Sequence, residues 1–389
     1  MNEALKWAKE NEDWIIDLRR TFHTYPELTG KEISTNKRIR EYLLKLSIDF
    51  LAPEDNITIA RITSDEKSGF HAAVRADTDA LPIDEGTGIS YSSKNPGVMH
   101  ACGHDAHIAM GLAAARFFKE NPHTFKGTVS IIFQPAEEGG GGAQEVIDTG
   151  TIDSVTSFFG IHVWPDLPLG TISVRSGPNC ASTDDFEIKI KGRSGHAAHP
   201  DKGVDPIPVA AQIISAFQNI VTRRVSPLDS CIISVCNMHS GNSWNIIADS
   251  AYMQGTIRAF SDDVRNTIVE HMDKIVSNYC DVYGCKGELI VNAITSAVIN
   301  DDALTKIGEE AVFVSAGDEA LRAITPAMIG DDFALYKNIA PICYAFLGVS
   351  SDDYGNVPLH NEKFTMDERA LAIGVSWLVN CVILSANKY

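Results

Sequence analysis

The order of apolar patterns constrains this chain's fold more than any other feature, because the pattern changes character twice. In the first third, short apolar runs at 57–62, 70–75, 128–133 and 158–163 read as strands. Stretches of helical period at 3–20, 35–46 and 105–119 lie among them. Apolar strands separated by helices indicate an α/β architecture, a central, mostly parallel sheet flanked by helices. From residue 184 the order becomes strand (186–191), helix (206–223), strand (231–238), strand (252–260), helix (262–283) and strand (288–293). That β-α-β-β-α-β succession is the ferredoxin-like arrangement, which closes on itself within about a hundred residues. After 295 the first pattern returns, with a helix at 303–314, a strand at 342–347 and a helix at 366–386. The expected organisation is one α/β domain of residues 1–182 and 295–389, interrupted by a ferredoxin-like α+β domain at 183–294.

Charge narrows the function classes. Lys and Arg total 33 against 51 Asp and Glu, a net charge of -18. Such a surface repels nucleic acid and anionic lipid, so neither a nucleic-acid nor a membrane partner is expected. No unbroken apolar run approaches the ~18 residues of a membrane span. The N-terminal residues lack the basic start and apolar stretch of a signal peptide, so a cytoplasmic address is expected. Eight cysteines then read as thiols rather than a disulfide scaffold. Cys231, Cys236, Cys343 and Cys381 have apolar neighbours and are expected to be buried.

Histidine marks the chemistry. In Met99-His-Ala-Cys-Gly-His-Asp-Ala-His107, Cys102 and His104 alternate on a stretch read as extended and can converge on one point, as metal ligands must. A buried thiol beside a helix cap would leave the same short pattern. Gln134-Pro-Ala-Glu-Glu-Gly-Gly-Gly-Gly142 directly follows an apolar strand, and strand C-termini are where open α/β sheets place their sites. Two adjacent glutamates in extended backbone point to opposite sides, so one could hold a metal while the other serves as a general base. A solvated acidic pair before a flexible turn is the plainer alternative. A phosphate loop is excluded, because no Gly-Lys-Ser/Thr follows the glycines. Lone histidines at His162 and His360 lie at a predicted strand end and a C-terminal loop.

Taken together, Arg75-Ala-Asp-Thr-Asp-Ala-Leu-Pro82, His100-Ala-Cys-Gly-His-Asp-Ala-His107, Gln134-Pro-Ala-Glu-Glu-Gly139, Gly160-Ile-His162 and Leu359-His-Asn-Glu362 resemble the aminoacylase/carboxypeptidase metallohydrolases. The match is closest to the amidohydrolase branch containing hippurate hydrolases and auxin-conjugate hydrolases, and it covers essentially the whole chain. The resemblance implies a zinc-peptidase-like catalytic domain carrying two divalent ions, with zinc, manganese, cobalt and nickel all open. It implies Cys102, His104, Glu138, His162 and His360 as ligands and Glu137 as general base. Asp77 resembles the carboxylate that orients a ligand. Many relatives carry a His two residues before that Asp, and a bridging Asp; here Arg75 and the Cys102 turn stand instead. In Gly192-Arg-Ser-Gly-His-Ala-Ala-His-Pro200, His196 matches the histidine that reaches the reacting carbonyl, with His199 competing. Asn245 and Arg258 resemble a pair that contacts the substrate carboxylate, for which a guanidinium is well suited.

The implied reaction is hydrolysis of an N-acyl-L-amino acid to a carboxylic acid and a free amino acid, by a homodimer formed through the inserted domain. A metallo-dipeptidase or carboxypeptidase on the same scaffold is the nearest alternative. A serine hydrolase fits poorly, since Gly192-Arg-Ser-Gly-His lacks the Gly-x-Ser-x-Gly elbow. A zinc base deaminase fits no better, for want of a Pro-Cys-x-x-Cys after a His-x-Glu. A catalytically silent binding protein on this fold would be expected to lack some of the ligands or the base.

Overall fold

A computed structural model describes residues 2–389. The chain divides into two compact units. One comprises the chain up to Gly177 with Ile299–Thr325 and Asp332–Tyr389; the other comprises Pro178–Val298 with Pro326–Asp331.

The first unit is built on a seven-stranded sheet. Its order is Asp49–Glu54, Ile57–Thr63, Thr128–Gln134, His71–Asp77, Ser157–Pro168, Ile342–Ser350 and Ile172–Val174. The four middle strands run parallel to one another, and the three outer strands are antiparallel. His71–Asp77 is buried at every position, which explains why it reads as a continuous apolar run rather than an alternation. The edge strand Asp49–Glu54 was not expected from sequence: it is mostly exposed and contains Pro53, which only an edge tolerates.

Helices pack densely on this sheet. His104–Glu120 is almost wholly buried, and its alanines allow close approach to neighbours. Ala370–Lys388 lies against it, and adding a Cβ to Gly374 would bring it 2.2 Å from the Met110 sulfur. By length and composition alone this last helix could cross a membrane, with a mean hydropathy of 1.7, but 78% of that window is buried in the fold. The helical stretch expected at 3–20 is two helices, Glu3–Glu10 and Glu12–Thr24. Asn11 separates them: its side chain donates to the Trp7 carbonyl and competes with the backbone ladder.

The second unit carries a four-stranded antiparallel sheet in the order Cys231–Ser240, Ser250–Ala259, Ser182–Lys191, Lys286–Thr295. Pro206–Arg223 and Asp262–Val282 pack on it, the first capped by the Asp205 side chain and the second by Ser261. Ser182–Lys191 alternates inward Phe186, Ile188 and Ile190 with outward polar residues, as a sheet covered on one face requires. Cys343 and Cys381 are buried as expected, but Cys236 is exposed and Cys231 half-buried. The reason is local. The register of the edge strand slips between Val235 and Asn237, and this bulge turns Cys236 away from the core.

Candidate metal centre

Parallel strands bring the candidate donors to one edge of the large sheet. Asp77 and Gln134 are register partners at the C-terminal ends of their strands, and Arg75 pairs with Gly160, two residues before His162. The loop after His71–Asp77 delivers Cys102 and His104, and the loop after Thr128–Gln134 delivers Glu137 and Glu138.

Cys102 and His104 converge through a tight turn rather than the extended stretch expected from their alternation. Gly103 between them adopts φ 86, and a Cβ there would lie 2.4 Å from Val163 Cγ2, so only glycine fits. The helix His104–Glu120 starts at once. Its second residue, Asp105, accepts from buried Arg19 Nε at 3.0 Å and pairs with His23 Nδ1 at 2.9 Å, which anchors the first turn.

Orientation of the imidazoles follows from their second nitrogens. His104 Nδ1 donates to the Asp79 carbonyl at 2.9 Å and to Asp79 Oδ1 at 3.2 Å. Its Nε2 is buried with no hydrogen-bond partner among the described residues. His162 Nδ1 donates to the Val163 carbonyl at 2.7 Å, leaving Nε2 at 3.4 Å from Cys102 Sγ. His360 Nε2 lies 3.3 Å from the same sulfur and 3.1 Å from Glu138 Oε1. His360 has φ 63, a left-handed conformation uncommon for residues with a Cβ, and its backbone N–H is pinned to the Ala101 carbonyl.

Asp79, not Asp77, is the carboxylate hydrogen-bonded to His104. Asp77 binds His107 Nδ1 and Arg75 Nη1, and sits 3.7 Å from His104 Nε2. His107 is fully committed, since its Nε2 accepts the Val163 N–H at 3.1 Å. Asp79 and His107 were both missed as site residues. The Arg75-Ala-Asp-Thr-Asp spacing placed two carboxylates in reach, and only the strand end showed which one turns toward the helix. Arg75 also donates to Gln134 Oε1 and Asp332 Oδ1, both at 3.1 Å, tying three sheet-edge segments together.

The two glutamates do not point to opposite sides of an extended segment. They occupy a turn closed by Gly140 N–H on the Glu137 carbonyl at 2.9 Å, and both offer a carboxylate oxygen within 4.8 Å of a His104 ring nitrogen.

Electrostatics favour a cation here. Burial pushes the Asp77 carboxyl up, but Arg75, His104 and His107 outweigh it and hold it well below the usual range. Burial alone would lower His104, yet Asp77, Cys102 and Asp79 hold it well above the ordinary imidazole value. Burial, with Glu138, drives the Cys102 thiol well up, whereas His162 is depressed by burial and by His107. Anionic groups that draw a proton onto His104 are the surroundings a divalent ion would satisfy. Donor chemistry agrees: Cys102 with His104 and His162, Cys102 with Glu138 and His360, and His104 with Glu137 and Glu138 form three groups whose ligand atoms all lie within 4.8 Å of one another. Zinc–sulfur and zinc–nitrogen bonds of ~2.3 and ~2.0 Å at a tetrahedral angle put S and N about 3.5 Å apart. The 3.4 and 3.3 Å separations of Cys102 from His162 and His360 match that spacing.

His196, Asn245 and Arg258 lie in the second unit. His196 pairs with Ile246 in a two-residue ribbon, is exposed, and accepts the Ala198 N–H on Nδ1 at 3.0 Å. His199 is exposed beside it, their rings 5.7 Å apart. Asn245 adjoins them, its carbonyl accepting the Ala197 N–H at 3.1 Å. Arg258 sits at the other end of the sheet, opposite Thr183, whose hydroxyl it contacts. Ser250, beside the His196 end, and Arg258 are separated by a strand length of roughly 25 Å. The structure therefore does not bring Asn245 and Arg258 of one chain together as a pair on one carboxylate.

Known proteins extend this picture. A chain from Bacillus subtilis named N-acetylcysteine deacetylase is 38% identical over 371 residues, covering 95% of this chain and 96% of the relative. Thermostable carboxypeptidase 1 of Saccharolobus solfataricus is also 38% identical, over 376 residues and 94% of each chain. The crystal structure of a dinuclear metal-binding peptidase of the M20 family from Bacillus subtilis superposes with a TM-score of 0.87 at 35% identity, over 98% of this chain and 100% of that one. The family model for peptidase family M20/M25/M40 matches residues 73–383, a span that includes all five convergent donors and Glu137. The chain belongs to the peptidase M20/M25/M40 family and is a metal-dependent hydrolase of amide bonds.

Proposed function

We propose that this chain cleaves the amide bond of N-acyl-L-amino acids, releasing a carboxylic acid and a free amino acid. The observation that carries the reading is the Glu137 carboxylate beside five convergent donors, Cys102, His104, Glu138, His162 and His360, which would hold two divalent ions. The chemistry such ions supply when bound is Lewis acidity toward a carbonyl oxygen and a lowered pKa for water. Glu137 accepts the proton of the attacking water and returns it to the leaving nitrogen as the C–N bond breaks. Asp79 holds His104 in the tautomer that keeps Nε2 toward the site. His196 donates to the oxygen on which negative charge develops, a contact worth roughly 3–4 kcal/mol in comparable sites. Arg258 binds the substrate carboxylate through its two-pronged guanidinium.

His196 with Asn245 at one end of the second unit, and Arg258 at the other, cannot serve one small substrate within a single chain. Their separation supports a homodimer in which each site takes His196 and Asn245 from one copy and Arg258 from the other. Mixing impaired His196→Ala and Arg258→Ala chains, assayed at substrate well below KM, should then give more activity than the two alone sum to; no gain on mixing would refute the shared site.

The peptidase alternative shares this chemistry and differs in the acyl side of the substrate. Stripping the metal, restoring Zn²⁺, Mn²⁺, Co²⁺ or Ni²⁺ singly, and following free amino acid from N-acetyl, N-benzoyl and indole-acetyl amino acids alongside unblocked dipeptides tests both. Metal-dependent release from the N-acyl compounds is expected, and faster turnover of dipeptides would favour the peptidase.

A further inference from the structure

The turn that carries Glu137 and Glu138 is held by three carboxylates from elsewhere in the first unit. Asp79 Oδ2 accepts the Glu138 N–H at 3.0 Å, Asp332 Oδ2 accepts the Ala143 N–H at 2.9 Å, and Glu32 Oε1 accepts the Ala136 N–H at 2.9 Å. Ala136 is the pivot. Its φ is 52, in the left-handed region that a residue with a Cβ rarely enters, and its carbonyl accepts from Gly141 at 3.4 Å and Gly142 at 3.3 Å. The direction in which both glutamates leave the strand is therefore set at this residue.

Glu32 is an unusual group to find there. It is completely buried at the start of the helix Ile33–Lys45, and the oxygen that holds Ala136 also accepts the Gly30 N–H at 2.8 Å. Its other oxygen, Oε2, is buried with no hydrogen-bond partner among the described residues. Burial raises its carboxyl to about 7 against the backbone donors that favour the charge. A buried carboxyl with one oxygen unmatched is a poor choice for stability, where an apolar side chain of similar volume would serve better. Its use is the acceptor it presents to the Ala136 N–H.

We propose that Glu32 is a positioning residue: by holding Ala136 in its left-handed conformation, it aims Glu138 at the metal centre and Glu137 at the substrate. The inference rests on reading Glu138 as a ligand and Glu137 as the base.

The full-length chain with Glu32→Ala, Glu32→Gln and Glu32→Asp tests it, using equilibrium binding of Zn²⁺ and Mn²⁺ to the stripped proteins and kcat and KM of the reconstituted ones. Glu32→Ala should weaken ion binding about 10-fold and lower kcat about 10–100-fold with KM within about 2-fold, the range for groups that orient ligands. Glu32→Gln keeps an oxygen in place and should return both quantities to within a few-fold of the parent. Glu32→Asp keeps the charge but shortens the reach, and should behave like alanine. Should Glu32→Ala fail to fold, the contrast between Gln and Asp decides. Unchanged ion binding and kcat in a folded Glu32→Ala, or a Gln variant as impaired as Asp, would overturn the proposal. Ion binding is read without substrate. Loss in Ala and Asp with rescue in Gln would therefore sustain the positioning role even if N-acyl amino acids proved to be the wrong substrates.

Discussion

The residues assigned chemistry in the two units are held very differently. In the first unit Cys102, His104 and His162 are buried, the His104 and His162 rings each commit their second nitrogen to an oxygen, and His360, though exposed, is fixed through its backbone N–H to the Ala101 carbonyl. In the second unit His196 and His199 are exposed and Asn245 is half-buried, beside a Trp244 that is 94% exposed. The first set is preorganised to hold a charge in one place, which is what metal binding and proton transfer need. The second set lies at an exposed surface, where few protein groups contact each side chain.

The largest test of this contrast is Glu137→Gln. It should lower kcat by about 10²–10⁴-fold, the usual contribution of a general base, with ion content unchanged; retained turnover would move the base elsewhere. Next is Asp79→Ala, which removes the carboxylate from both His104 Nδ1 and the Glu138 N–H and leaves His104 only the residue-79 backbone carbonyl. Ion affinity should fall about 10–100-fold, measured by competition with a chromogenic chelator. An unchanged affinity would mean that the backbone carbonyl of residue 79 suffices to orient His104.

Arg258→Ala addresses the second unit. It should raise KM for N-acetyl amino acids by about 10–100-fold, as expected for a lost charge-assisted pair. The KM for the corresponding methyl esters should hardly move; equal effects on acid and ester would remove Arg258 from the carboxylate.

The smallest effect concerns the framework beneath the first unit's site. Burial pushes the Glu85 carboxyl up, but hydrogen bonds from His23, the Ser93 N–H and Thr87 outweigh it and bring it to about 2 from an ordinary 4.5. A depressed carboxyl stabilises the fold fully above its unfolded value and loses that contribution as pH falls from about 4.5 toward 2. Glu85→Gln should therefore lower Tm near neutrality by a few degrees and hardly at all near pH 2. A Tm difference independent of pH would break the assignment.

How much was legible depended on whether the signal was local. Pro206–Arg223 was legible because its apolar face has helical period, and in the structure the Asp205 side chain caps it. Cys102 and His104 were singled out by their alternating donors, and Glu137 and Glu138 by the strand before them, yet their backbone was misread as extended in both places. Left-handed Gly103 and Ala136 make those turns, and alanine carries no sequence signal for such a conformation. The sequence pointed to Asp77 as the orienting carboxylate and Asp79 was missed, since which carboxylate meets which imidazole depends on where the strand stops. Asn245 and Arg258 looked like one pair in sequence; the register of a single strand sets them at opposite ends of a sheet.

By itself the sequence determined the order of elements, including the strand and helix succession within 183–294, and singled out Cys102 with His104 and Glu137 with Glu138 as candidates, because period and residue chemistry are local properties. Only the tertiary structure decided that Asp79 orients His104, that Asp77 and Val163 take up His107, and that Glu32 holds the Glu137–Glu138 turn from more than a hundred residues away. Those assignments depend on hydrogen bonds between segments far apart in the chain, and such bonds are specified by packing rather than by any pattern a short window of sequence contains.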